Sequence, residues 1–156
     1  MLKYVDTKVT FAEVPDEISL CINISNCPIH CVHCHSKYLW EDIGEPLHLQ
    51  HLIDLIDANT GITCVCVMGG DGSIEDIDSI LEDIKNYYPN LKTAWYSGRF
   101  SLPKEINIDN LDYVKIGPYI AIYGDLSNKE TNQTFKKKVF NGNNYEWVDI
   151  TYMFQK

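Results

Sequence analysis

No stretch of this chain stays apolar for the ~20 residues that a membrane-spanning helix needs. The opening, MLKYVDTKVTFAEV, has no secretory apolar core. A cytoplasmic location without a membrane partner is therefore expected. No internal repeat, low-complexity tract or linker interrupts the sequence, so residues 1–156 read as one domain. A basic stripe of the kind nucleic-acid binders carry is also missing, and the net charge is −9. No nucleic-acid partner is expected. The one basic cluster, Lys136, Lys137 and Lys138, reads as a solvated edge or turn. Acids are abundant instead. Residues 41–90 hold eleven acids and one base, Lys85, mostly on what read as the outer faces of two helices.

Apolar periodicity predicts the elements. Val9–Val14 and Ile18–Ile24 read as a hairpin around residues 15–17, because Ser19, Cys21 and Asn23 alternate with Leu20, Ile22 and Ile24. Leu49, Leu52, Ile53 and Ile56 predict a helix over 49–58, stopped by Asn59 and Gly61. Residues 62–68 form a short continuous apolar run, as in a strand covered on both faces. The run breaks at Gly69-Gly70-Asp71-Gly72. A second helix is predicted over 74–87, with Ser73 and Asp76 resembling a capping pair. Residues 91–96 and 113–116 read as further strands, ending in Ser97-Gly98 and Gly117-Pro118. A late hairpin is predicted from 137–140 and 147–150. Strands alternating with helices imply an α/β fold with a parallel sheet. The units are too few for a closed eight-stranded barrel. A partial, open (β/α) barrel with an N-terminal hairpin fits, and the loops after its strands share the edge where such sheets bind ligands.

Six cysteines in such a chain do not suggest a disulfide framework. Cys64 and Cys66 lie two apart on one strand and share a face, where free cysteine acts as a small hydrophobe. Cys21 reads the same way. Cys27, Cys31 and Cys34 differ, because they crowd into one polar loop with C-x3-C-x2-C spacing. Three thiolates on a tight loop can each bind a different iron of a [4Fe–4S] cubane, leaving the fourth iron without a protein ligand. That iron can chelate the amino and carboxylate groups of S-adenosylmethionine (SAM). An electron from the reduced cluster then cleaves the adjacent S–C bond. The protein places the cluster, orients SAM and excludes water. A Cys3His zinc site using His30, His33 or His35 stays open as an alternative, although a second cysteine knuckle is missing. A redox dithiol needs no third cysteine, and a polar loop makes a poor site for inert buried thiols.

The spacing matches the radical SAM superfamily motif. The longer string Cys27-Pro28-…-Cys31-…-Cys34-His35-…-Trp40 resembles the anaerobic ribonucleoside-triphosphate reductase activating proteins, which are also short. Gly69-Gly70-Asp71 resembles their Gly-Gly-Glu/Asp segment. Trp95-Tyr96-Ser97-Gly98 resembles Y-S/T-G, Ile116-Gly117-Pro118-Tyr119 resembles D-G-P-F/Y, and Asn132-Gln133 resembles the late S-x-N-Q. Ile116 stands where the family carries an acid, and Lys129-Glu130-Thr131 replaces its Gly-Ser lead. The resemblance implies a radical SAM fold and an activase that makes a glycyl radical on the reductase's glycyl radical subunit. It implies a [4Fe–4S] cluster on Cys27, Cys31 and Cys34, and an electron donor such as flavodoxin or ferredoxin. SAM contacts fall to Gly69, Gly70, Asp71, Ser97, Gly98 and Asn132, with Asp71 facing the SAM ammonium and Gln133 beside SAM or the partner. Two other readings remain. One is a short radical SAM enzyme acting on a small molecule, similar to the carboxydeazaguanine synthases. The other is a non-catalytic zinc-binding module.

Overall fold

The computed structural model describes residues 1–31, 34 and 36–155. The elements run β1 (Lys3–Thr10), β2 (Ser19–Ile24), β3 (Glu45–Pro46), α1 (Leu49–Asp57), β4 (Cys64–Met68), α2 (Ile74–Tyr87), β5 (Lys92–Tyr96), β6 (Tyr113–Ile116), β7 (Thr134–Asn141) and β8 (Asn144–Asp149). They build an α/β fold on one mixed eight-stranded sheet, in the order β3-β1-β2-β4-β5-β6-β7-β8. β2, β4, β5 and β6 are parallel. β3 and β1 are antiparallel on one side, and β7 and β8 on the other. Among the described residues α1 and α2 are the two α-helices, because residues 97–112 carry only a 3-10 turn at Ile108–Asn110. None of the helices is long and apolar enough to cross a membrane.

Strand alternation sorts the side chains into two layers. Leu20, Ile22, Val65, Val67, Trp95 and Val114 point to the face that α1 and α2 cover with Leu52, Ile56, Ile77, Ile80, Leu81 and Ile84. Burying each aliphatic side chain of this kind contributes about 1.5–3 kcal/mol. The opposite face carries Cys21, Cys64, Cys66, Ala94, Tyr113 and Phe135, closed by Val14, Leu126 and Ile150. These three cysteines are the small hydrophobes that their alternation implied. Burial pushes the Cys64 and Cys66 thiols well up, so they stay protonated.

Three expectations change. The first hairpin arm runs over Lys3–Thr10, not 9–14, and pairs Tyr4 with Ile24 and Thr10 with Ser19. β1 lies next to the edge and is mostly half-exposed, so its apolar alternation is weak. Val14 leaves the strand to fill the helix-free layer. Ser73 makes no side-chain capping bond, and Asp76 pairs with the chain's amino terminus at 3.2 Å. The Lys136–Lys138 cluster is neither a turn nor wholly solvated. It lies within β7, where Lys138 is buried and donates to the Ile108 carbonyl at 2.5 Å.

The turn after β4 depends on Gly70, which sits at φ +85°, where a Cβ would lie 2.3 Å from Ile77 Cδ1. Ile77 is fully buried. Gly70→Ala is expected to destabilise the fold by about 1–3 kcal/mol through overpacking, with left-handed strain of about 1–2 kcal/mol added. The midpoint of urea unfolding checks this, and an unchanged midpoint refutes it.

Candidate functional site

The C-terminal ends of the parallel strands meet the cysteine loop on the helix-free side of the sheet. Positive φ at Asn26 and His30 shapes that loop. Its backbone is tied to the 3-10 turn at Lys37–Trp40, with Asn26 N donating to Glu41 O at 2.9 Å and Cys27 N to Leu39 O at 2.8 Å. His30 stacks on Trp40 with ring centroids 4.6 Å apart. His33 and His35, offered above as zinc ligands, lie outside the described residues.

Cys27, Cys31 and Cys34 line one cavity of about 180 Å3. Gly69, Asp71, Ser97 and Gly98 line the same cavity, from the loops after β4 and β5. The predicted cluster ligands and four of the six predicted SAM contacts therefore come together, although 26 residues and a helix separate Asp71 from Ser97. Gly70 does not line it. It packs on Ile77 and Leu2 and borders a separate small pocket. Asn132 does not line it either, and its amide braces the Pro118 carbonyl at 3.0 Å. Its neighbour Gln133 takes the place at the cavity wall, and its amide donates to the Gly117 carbonyl at 3.4 Å.

Each loop sulfur meets a backbone donor. The Tyr119 amide lies 3.2 Å from Cys31 Sγ, and the Ser36 amide 3.4 Å from Cys34 Sγ. Burial raises the Cys27 pKa, and amide hydrogen bonds from Ile29 and His30 oppose that rise. Among the described residues no three His, Cys, Asp or Glu side chains are placed to hold a single metal ion. A cubane asks for a different arrangement, with each thiolate on its own iron. Three sulfurs around one cavity, each facing N–H donors, fit that donor set, because amide–sulfur hydrogen bonds tune such clusters.

Asp71 is the anchor of the upper wall. It is 1% exposed, yet its carboxylate is fully engaged by protein. Ser97 Oγ donates to Oδ1 at 2.5 Å and the Gly98 amide to Oδ2 at 2.9 Å, while Arg99 Nε stands 3.6 Å from Oδ1. Arg99 also reaches the Asp71 carbonyl at 2.7 Å. The carboxylate thus stitches the β4 and β5 loops together. The Gly69 carbonyl is likewise drawn inward, where it accepts the Trp95 indole N–H at 2.7 Å. Gly98 has a steric role, since a Cβ there would lie 2.9 Å from Ile29 of the cysteine loop. Ile29 and Gly98 also border a neighbouring groove of about 430 Å3 with Arg99, Phe100 and Pro118.

Sequence reasoning missed Lys115. It lies on β6 opposite Tyr96 and lines the cavity. Its ammonium donates to the Ser97 carbonyl at 3.1 Å and the Gly117 carbonyl at 2.9 Å. Burial pulls its pKa below the usual lysine value, against the opposing pull of Asp71, Cys31, Cys27 and Cys34. One signal was available, because a lysine two residues after Tyr113 in a short apolar strand must share the inner face. Ile116, in place of the family's acid, points the other way and packs on the helix-covered core.

Compared with known proteins, the chain matches no family model, no curated protein and no solved structure.

Proposed function

We propose that the chain is a radical SAM activase of the anaerobic ribonucleotide reductase type, working in the cytoplasm. The convergence of Cys27, Cys31 and Cys34 with Gly69, Asp71, Ser97 and Gly98 on one cavity carries this reading. The mixed sheet with both helices on one face is compatible with a partial, open (β/α) barrel of the radical SAM type. In that reading Cys27, Cys31 and Cys34 would hold a [4Fe–4S] cluster, and its reductant would be an electron donor such as flavodoxin or ferredoxin. When bound, the cluster would supply the one electron for cleaving SAM to methionine and 5′-deoxyadenosine, whose added hydrogen atom would come from a glycine Cα of the reductase subunit and leave the glycyl radical there. The chain's own groups do the rest. Amide donors steady the thiolates, Asp71 fixes the two loops, and Gly98 admits Ile29 to the wall. At about 180 Å3 the cavity is below the ~300–1,000 Å3 of usual ligand pockets. The adjoining groove of about 430 Å3 offers the further room a nucleoside needs.

Anaerobic reconstitution with iron and sulfide tests the proposal. The expected protein is brown, absorbs near ~400 nm and holds about four irons per chain. On dithionite reduction it gives a [4Fe–4S]+ EPR signal and cleaves SAM to 5′-deoxyadenosine and methionine. Cleavage that rises with a glycyl radical subunit fits the activase. Cleavage that rises only with a pterin-like small molecule moves the reading to the small-molecule enzymes. A colourless protein with one zinc ends it in favour of a zinc module.

A further inference from the structure

The inner wall of the cavity carries an unbalanced charge pattern. Three cysteines and Asp71 are its potential anions. Asp71 already has Arg99 as a counter-charge at 3.6 Å. Among the described residues that line the cavity, Lys115 is the one basic side chain. It is held firmly. Two carbonyls take two of its three N–H donors, its ammonium lies 5.9 Å from the Tyr96 ring centroid, and β5 fixes its backbone through the Tyr96 pairing. A flexible surface lysine would be screened by water, whereas a part-buried one acts through a lower dielectric. The carbonyl of Ser97 and that of Gly117 belong to the loops that close the cavity, so the ammonium sits at their junction.

We infer that Lys115 is the positioning cation that offsets the negative charge of a thiolate-bound cluster and makes its one-electron reduction easier. The inference rests on the iron–sulfur reading above. A cubane held by three thiolates is anionic, and it gains one more negative charge when an external reductant delivers an electron. A fixed cation nearby stabilises the reduced form more than the oxidised form, because net charge sets cluster potentials. Lys115 itself neither gains nor loses a proton or an electron in this step.

The test is an EPR-monitored redox titration of the reconstituted full chain, with dithionite as reductant. Wild type is compared with Lys115→Arg, Lys115→Gln and Lys115→Met, and iron content is measured on each. The Met and Gln variants are expected to titrate at a more negative potential than wild type. At the wild-type midpoint their ratio of reduced to oxidised cluster falls about tenfold, the scale of one charge in a partly screened site. The Arg variant stays near wild type. Equal potentials in wild type, Gln and Met overturn the inference, as does a shift in Arg as large as in Met. Loss of iron in every variant, Arg included, assigns Lys115 to packing alone and also overturns it. If wild type itself yields no reduced-cluster signal, the iron–sulfur reading has failed, an outcome separate from these.

Discussion

Alanine at Cys27, Cys31 or Cys34, each taken singly, is expected to reduce bound iron from about four per chain to below one. The ~400 nm absorbance and the reduced-cluster EPR signal are lost with it. SAM cleavage falls by more than about a hundredfold, since even residues that merely support a metal ligand are worth ~10–100-fold. The three thiols share one cavity and approach it from one short loop, so two of them cannot recruit a substitute from the sheet. Cys21, Cys64 and Cys66 are buried in the helix-free core and are not among the cavity's lining residues. The control is therefore Cys66→Ala, which keeps iron and cleavage and changes stability alone. Iron content by metal analysis decides the matter. Full iron retention in any one of the three loop variants, or loss of iron in Cys66→Ala, refutes the assignment.

The contrast between the two cysteine sets explains what was legible beforehand. Period-2 alternation around Cys21 and Cys66 is a backbone property, so it predicted their inward position directly. The loop spacing of Cys27, Cys31 and Cys34 is a chemical pattern, and it needed no fold to be noticed. The ends of α2 and β6 came through unchanged because their apolar stripes are dense and bounded by Gly, Pro and Asn. β1 did not, because a strand next to the sheet edge is held by its backbone ladder more than by burial. Lys138 was misplaced for a related reason. A run of three lysines looks solvated, yet β7 alternation turns the third inward to the Ile108 carbonyl.

Around the candidate site most of the cavity-lining positions were legible, Lys115 excepted, and the direction in which each group points was not. The Gly69–Gly72 turn was located correctly, but nothing in Gly-Gly-Asp-Gly says which way each group points. Gly70 faces α2, while Gly69 turns its carbonyl to Trp95. The late Asn132-Gln133 pair divides between a brace on Pro118 and a cavity wall. Ile116 is the clearest case. It stands where the resembled family carries an acid, and its side chain belongs to the apolar layer. An acid on that side would need a partner inside the core to offset its desolvation. The polar position on the inner face of β6 is occupied by Lys115, one residue earlier.

Asp71 separates two views of the upper wall. If the resemblance is taken literally, its carboxylate serves the ligand, and its loss should affect SAM binding with little effect on the empty protein. The geometry favours a larger structural effect. Asp71→Ala removes the acceptor for Ser97 Oγ and for the Gly98 amide, and leaves both donors in a nearly dry site. Arg99, whose side chain is 42% exposed, adds little, since exposed ion pairs are worth about 0–1 kcal/mol. Removing one partner of a buried charged network costs about 3–5 kcal/mol. That is a large share of the ~5–15 kcal/mol by which domains are stable. Asp71→Asn keeps the shape but turns an amide N–H2 toward a donor. Leaving one buried group unmatched costs about 1–3 kcal/mol. Urea unfolding of the metal-free protein is therefore expected to rank wild type above Asp71→Asn, and Asp71→Asn above Asp71→Ala. Wild-type stability in Asp71→Ala, together with lost SAM affinity, would return the carboxylate to the ligand and refute the stitching role. With the expected ranking, a loss of SAM affinity in Asp71→Ala under the proposed function would follow from the loops that Asp71 holds. Gly98 and Ser97 move once their shared acceptor is gone, and the wall facing the cysteines opens.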